Sequence, residues 1–172
     1  WRNGEFQAQV DKLRFGTAIQ TLLTGGTLGN LKFRGQGRLA EGELGRWDGE
    51  FDLEGASGEG WEAEAVNVKS KYVPGEFQLD GRARSGKISE AWPLYPQLKL
   101  VRAESAGQAV WRDVQAKLEI NSTGGQIHSV SAVDDELNQV WRLKGSWVRD
   151  GEFNGFLSTG SPKKPRGFAL SG

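Results

Sequence analysis

The tripeptide Gly-Glu-Phe occurs four times in this chain, each time directly after a residue that favours a turn: Asn3-Gly4-Glu5-Phe6, Asp48-Gly49-Glu50-Phe51, Pro74-Gly75-Glu76-Phe77 and Asp150-Gly151-Glu152-Phe153. Asn-Gly and Asp-Gly favour type I′ hairpin turns, because both central residues of such a turn need positive φ. Pro-Gly suits a type II turn. A turn at Pro74-Gly75 would place Val73 opposite Glu76 and Tyr72 opposite Phe77. The four copies therefore predict a series of antiparallel hairpins.

Apolar and polar residues alternate in the segments between these turns. The clearest strand is Asp113–Asn121, and its apolar side is expected to face the core through Val114, Ala116, Leu118 and Ile120. The alternation changes phase at Val66, and again between Val10 and Leu13, and such changes usually mark a β-bulge. The 25 glycines are interpreted mainly as turn residues at the ends of alternating segments.

Half-buried strands that recur about every 8–12 residues predict an all-β fold. Its antiparallel hairpins would form a curled sheet, a sandwich or an open barrel. Short helices are candidates at Thr17–Thr24 and Asp134–Trp141, where apolar residues follow a capping or acidic residue. The chain of 172 residues is predicted to be a single β domain (1–172), with the alternative of two similar halves, 1–90 and 97–172, joined at the Pro-marked segment 91–96.

The composition restricts the classes of function. The 22 basic and 22 acidic residues cancel, so the chain lacks the electrostatic footprint of a nucleic-acid-binding protein. Because there is no Cys, disulfides and thiol catalysis are excluded. No Met occurs, even at position 1, so the chain is expected to begin inside a longer product or after a removed leader. No apolar run reaches the ~18–20 residues of a membrane helix.

Catalytic patterns are weak throughout the sequence. His128 is the one histidine, and no nucleophile and orienting residue lie near it in sequence. The run 134–136 is acidic but lacks the spacing of a calcium loop, and the glycine-rich run 25–29 lacks the Gly-Lys-Ser/Thr of a phosphate loop. Three cations, Lys163, Lys164 and Arg166, form a small basic cluster. We therefore expect no enzymatic activity, no catalytic residues, no cofactor and no metal.

The seven tryptophans are expected to be mostly core or cross-strand residues, with one or two in an exposed patch. The hairpin predicted around Asp150-Gly151 places an aromatic pair and charged residues beside a turn. Its residues Trp147, Arg149 and Phe153 are our candidates for binding a partner protein, alongside the edge strands of an open sheet.

Three segments resemble the type II secretion system protein N family: Trp1–Leu13, with a tryptophan, a glycine turn and an alternating strand; Leu98–Asp113, which ends near Trp111; and Trp141–Gly160, with leucine, glycine and a hairpin. The resemblance implies a periplasmic β domain, anchored upstream in the inner membrane. It implies a non-catalytic accessory role in type II secretion, through contacts with other secretion-system proteins.

The alternating strands are also similar to the repeating strands of AsmA- and TamB-like proteins, which form lipid-carrying β-grooves. That resemblance implies lipid binding or transfer, and it requires an apolar inner face that stays open. A third class, a β-rich enzyme or sugar-binding module, would use the tryptophans as stacking platforms.

Overall fold

A computed structural model describes residues 3–14, 26–91, 109–149, 151–161 and 164–171, which form eleven strands and no helix. The strands are β1 (Gly4–Leu13), β2 (Thr27–Leu28), β3 (Leu31–Ala40), β4 (Glu43–Gly58), β5 (Trp61–Val73), β6 (Glu76–Ile88), β7 (Ala109–Asn121), β8 (Gly124–Asp134), β9 (Gln139–Val148), β10 (Phe153–Ser161) and β11 (Lys164–Ser171).

All strands belong to one antiparallel sheet whose order follows the chain. From β3 onward each strand pairs with the next, β1 pairs with β3, and the short β2 pairs with β4. The path ends at β1 on one side and β11 on the other, so the sheet is open. The all-β prediction is confirmed, in the form of a curled sheet. Strands β6 and β7 pair directly, and residues 92–96 of the proposed joint lie outside the described residues.

The helix predicted over Asp134–Trp141 is wrong. Asp134 ends β8, residues 135–138 form a turn, and β9 begins at Gln139. The Asp134 carboxylate accepts hydrogen bonds from the backbone N–H groups of Glu136 and Leu137, both at 3.1 Å. This arrangement is an Asx turn, in which the aspartate side chain takes the place of a helical carbonyl. The other candidate helix, Thr17–Thr24, lies outside the described residues.

Two of the four Gly-Glu-Phe sites follow hairpin turns, as predicted. Gly75 has φ of +87° between β5 and β6, and Tyr72 pairs with Phe77 as expected. Gly151 lies in the turn between β9 and β10, where its N–H donates to the Val148 carbonyl at 3.0 Å.

The other two sites are not hairpin turns in the described structure. Gly49 lies inside β4 and pairs with Gly35 on one side and Ser70 on the other, so the turn predicted there is wrong. Gly4 begins β1, whose partner is β3, while Trp1 and Arg2 lie outside the described residues. Glycine permits a turn without requiring one, and pairing on both sides of β4 decides the conformation of Gly49.

Both predicted phase changes coincide with backbone irregularities. The pairing of β1 with β3 shifts register between Val10 and Leu13. In β5, Ala65 has φ of 49° and no register partner, and it separates Ala63 from Val66. Asp113, with φ of 53°, interrupts β7 in the same way. Each irregularity keeps apolar residues on one side of the sheet where strict alternation would move them to the other.

One side of the sheet, which we call the inner face, is apolar on every strand from edge to edge. Directly paired residues of an antiparallel sheet lie on the same side, so the register itself defines rows across the strands. The central row reads Val10, Phe33, Phe51, Val68, Gly81, Ala116, Val130, Leu143, Leu157 and Phe168.

The opposite side, the outer face, carries rows of alternating charge. One of them reads Arg34, Glu50, Lys69, Asp80 and Lys117 on consecutive strands. Hydrogen bonds from Asn67 and from Arg34 hold the pKa of Glu50 below its usual range. The resulting contribution to stability is present above the unfolded pKa of this carboxyl and is lost as the pH falls through the lowered folded pKa. The outer face is therefore a solvated surface.

A substitution at Leu118 tests how far the inner face is shielded from solvent. Leu118 was expected in a closed core, but it is only half-buried, and its neighbour Ile120 is 37% exposed. Full burial of a leucine contributes about 1.5–3 kcal/mol, so half-burial contributes roughly half of that. We expect Leu118→Ala to lower the free energy of unfolding by about 1 kcal/mol in urea denaturation. A loss above about 3 kcal/mol, as in a packed core, would contradict an open inner face.

Candidate functional site: an apolar groove on the inner face

Two tryptophans form the most protected point of the inner face. Trp111 on β7 is 8% exposed and Trp141 on β9 is 5% exposed. Their rings meet edge to face, with centroids 5.2 Å apart. They are the only buried hydrophobic residues in the described part of the chain. Partly buried side chains pack around the pair: Ile88, Val114, Ala132 and Leu157. Among the described residues, the sheet is therefore a single layer whose inner face stays largely open.

An open cavity of about 420 Å³ lies against this pair, which we call the tryptophan cavity. Its walls come from consecutive strands β5 to β10, and its apolar lining includes Trp61, Ile88, Trp111, Val130, Trp141 and Leu157. Six neighbouring strands of a flat sheet would span about 24 Å, at ~4.8 Å per interval. Residues from all six strands line one cavity because the sheet curls toward the inner face. The volume lies within the range of ~300–1,000 Å³ that is typical of ligand pockets.

Stacked aromatic rings extend the apolar surface toward the β1 edge. Trp47 stacks with Phe6 at 6.0 Å and with Phe33 at 5.4 Å between ring centroids. Phe33 in turn stacks with Phe51 at 4.8 Å. The indole N–H of Trp47 donates to the hydroxyl of the buried Ser70 at 3.0 Å, which fixes the ring orientation. The inner face thus continues as an aromatic surface over β1, β3 and β4.

Glycines within the strands leave room for these rings, so the interpretation of glycine as mainly a turn residue is wrong for this chain. A Cβ added at Gly35 or Gly49 would lie 2.4 Å from the Trp47 ring. At Gly125 it would lie 2.1 Å from the ring of Trp147, and Phe153 similarly covers Gly145 and Gly155. An aromatic ring over a strand glycine replaces the missing side-chain contacts. Phe6 covers Gly37 and Phe156 covers Gly167 in the same way. Strands also contain glycines without a ring over them: Gly45, Gly55, Gly81 and Gly86.

Gly125 and Gly81 provide a matched pair for testing this packing, since both lie inside strands on the inner face. Gly125→Ala must displace the Trp147 ring, and such overpacking costs about 1–3 kcal/mol. At Gly81 the nearest atom to an added Cβ is a Val68 methyl at 3.8 Å, an ordinary contact. We expect Gly125→Ala to destabilise the protein and Gly81→Ala to leave it unchanged or slightly more stable. Equal midpoints of urea denaturation for the two variants would contradict the role assigned to Trp147.

The candidate partner-binding residues occupy one end of the β9–β10 hairpin. Trp147 lies directly opposite Phe153, whereas a two-residue turn at Asp150-Gly151 would place Val148 opposite Phe153. Because both rings cover glycines, their first role is packing within the sheet. Arg149 lies exposed in the turn that follows β9. Of the three candidate residues, two therefore pack within the sheet and one is in contact with solvent.

The other candidate sites from the sequence are His128, the acidic run 134–136, the glycine-rich run 25–29 and the basic cluster. His128 lies on β8, with its Nε2 3.1 Å from a Glu119 carboxylate oxygen on β7. In the acidic run, the Asp134 carboxylate accepts the backbone hydrogen bonds of the turn between β8 and β9. Within the described ranges, no three His, Asp or Glu side chains are grouped closely enough to hold a metal ion. Residue 25 of the glycine-rich run and residue 163 of the basic cluster lie outside those ranges.

Sequence reasoning missed the tryptophan cavity. Trp61, Trp111 and Trp141 are far apart in the chain, and their convergence depends on the register of β5 through β9. The available signal was the phase change near Val66, because it returns Trp61 to the same face as Val68.

No helix in the described parts of the chain is long and apolar enough to cross a membrane. The chain was compared with protein-family models, curated proteins and solved structures, and none of them matches it.

Proposed function

We propose that the inner face binds an elongated apolar ligand, namely the acyl chain of a lipid, and that the protein acts as a lipid-binding or lipid-transfer groove. The observation that carries the proposal is the central apolar row, which crosses the ten strands of the main path from β1 to β11 and over which no other described element packs. Exposed apolar surface of this extent is rare in monomers and usually marks a binding site.

The dimensions support an acyl chain as the ligand. A bilayer's hydrocarbon core is about 30 Å thick, so one lipid tail spans about 15 Å. Along the arc of the curled sheet, the six strands that line the tryptophan cavity cover about 24 Å. This apolar path is long enough for one tail, and the aromatic surface over β1, β3 and β4 continues it. Binding would be driven by burial of apolar surface, which is independent of the headgroup.

Dodecanol, an uncharged single-chain probe, tests the groove without any contribution from a headgroup charge. We expect it to bind in a calorimetric titration with a negative heat-capacity change, the marker of apolar burial. Tryptophan fluorescence should change in parallel, since Trp61, Trp111 and Trp141 line the cavity. If neither binding heat nor a fluorescence change is detected at the solubility limit of dodecanol, the proposal of an apolar groove is wrong.

A second candidate function is the accessory role in type II secretion, through contacts with other secretion-system proteins. The observation in its favour is the pair of sheet edges, β1 and β11, where no further described strand pairs and strand addition has a template. The exposed Arg149, between Trp147 and Phe153, adds a charged group beside the hairpin turn.

Affinity capture from a periplasmic extract distinguishes the two functions. The secretion proposal expects proteins of the secretion machinery to be captured, and it expects Arg149→Glu to reduce capture without loss of stability. Recovery of lipid with no secretion protein would contradict that proposal and favour the groove.

A further inference from the structure

Charged side chains are rare on the inner face of β7 to β11. The few that lie there therefore indicate where a polar part of a ligand could bind. We follow the inner-face rows over β7 to β11, where the pairing shifts register in β7 and β8 and is regular from β9 to β11. Among the paired residues of those described rows, the charged ones are Asp134 on β8 and, on β11, Arg166 and Lys164. Two residues of the basic cluster seen in the sequence therefore take inner-face register positions at the β11 edge.

Asp134 does not face the groove. It is fully buried, and its carboxylate accepts the backbone hydrogen bonds of the β8–β9 turn. Arg166 is exposed, and no acidic side chain of the described residues forms an ion pair with it. The inner face therefore offers one exposed guanidinium without an internal counter-charge.

Arg166 lies beside the tryptophan cavity. It pairs with Thr159, and Thr159 pairs with the cavity residue Trp141. The cavity residue Leu157 pairs with Phe168, two positions along β11 from Arg166. Residues in such a diagonal relation are about 7–8 Å apart at their α carbons, within reach of a long side chain. A chain held in the cavity would thus emerge next to this guanidinium.

We propose that the ligand of the groove is an amphiphile with an anionic headgroup, a carboxylate or a phosphate, and that Arg166 contacts that headgroup. This inference rests on the proposed function, because the acyl chain must occupy the cavity for the headgroup to reach β11. A guanidinium can bind a carboxylate or phosphate through two parallel hydrogen bonds, which gives orientation as well as affinity. The apolar cavity and the exposed Arg166 at its edge match the two parts of such a molecule.

Three probes with the same alkyl chain test the proposal: laurate, dodecyl phosphate and dodecanol. The intact protein should bind the two anionic probes more tightly than dodecanol, and the difference should shrink at high salt. Arg166→Gln should weaken laurate and dodecyl phosphate binding by about tenfold or more, as expected for the loss of a charge-assisted hydrogen bond, and leave dodecanol binding unchanged. Arg38→Gln, at an exposed arginine on the outer face of β3, is the matched control and should bind all three probes like the unchanged protein.

Each outcome decides one of the two proposals. If dodecanol fails to bind, the groove itself is rejected. If dodecanol binds but Arg166→Gln keeps its affinity for the anionic probes, the groove stands and the headgroup contact is overturned. Inorganic phosphate serves as a further arm: competition by phosphate alone, without an alkyl chain, would show a free-anion site and would contradict the amphiphile proposal.

Discussion

Trp111→Ala is expected to lower the free energy of unfolding by about 3–5 kcal/mol, the range observed for removal of a large buried aromatic residue. Trp111 and Trp141 are the only buried hydrophobic side chains of the described structure, so each contributes a large share of the packing. The substitution also removes the edge-to-face contact at 5.2 Å and exposes Val114 and Ile88. Urea denaturation followed by circular dichroism measures the change.

Phenylalanine variants separate ring packing from hydrogen bonding. The Trp111 indole N–H is buried and has no hydrogen-bond partner among the described residues, so Trp111→Phe loses packing but no hydrogen bond. The Trp47 N–H donates to the Ser70 hydroxyl, which itself donates to the Gly49 carbonyl at 3.3 Å. Trp47→Phe therefore loses one hydrogen bond, at a cost of about 0.5–1.5 kcal/mol. We expect Trp111→Phe to be far milder than Trp111→Ala. A loss below about 1 kcal/mol for Trp111→Ala would show that the tryptophan pair does not stabilise the sheet.

Val130→Trp is expected to abolish dodecanol binding, with a loss of at least roughly tenfold in affinity, the factor that corresponds to about 1.4 kcal/mol. Val130 belongs to the central row and lines the tryptophan cavity. An indole at this position fills the space that the alkyl chain would occupy. Because the cavity is open on one side, the larger ring can be accommodated without disturbing the strand pairing, so folding stability should change little.

Val148→Trp is the matched control for that experiment. Val148 ends β9 and is 59% exposed, at the opposite end of the strand from Trp141. The same substitution there adds an indole without filling the cavity and should leave binding intact. Unchanged dodecanol affinity in a stably folded Val130→Trp protein would place the ligand elsewhere and remove the groove proposal.

Local sequence patterns predicted the strands well, but the turns less well. The alternation in Asp113–Asn121 identified β7 and the side chains that share its inner face. The Pro74-Gly75 turn and its Tyr72–Phe77 pair were also correct, because proline fixes φ and glycine supplies the positive φ within the turn itself. Asp48-Gly49 carries the same local signal but lies within β4, since hydrogen bonding to both neighbouring strands outweighs a local preference.

The helix predicted over residues 134–141 was wrong for a related reason. The spacing of Leu137, Val140 and Trp141 suits a helix, but Trp141 pairs with Ala132 and Thr159 across three strands. Burial of that indole against Trp111 contributes more than the weak helical preference of a short segment. The candidate partner-binding hairpin was located correctly, while the packing of Trp147 over Gly125 depends on the neighbouring strand and was not visible in the sequence.

The sequence by itself determined that the chain forms amphipathic antiparallel strands, because side chains alternate with a period of two whatever the strand later contacts. The tertiary structure decided which rows of side chains meet, where Trp61, Trp111 and Trp141 converge, and that Arg166 lies at the edge of their cavity. These features depend on register between strands that are distant in the chain. A shift of one residue in any pair would reverse the faces, and only the pairing of the whole sheet, with its irregularities at Ala65 and Asp113, fixes them.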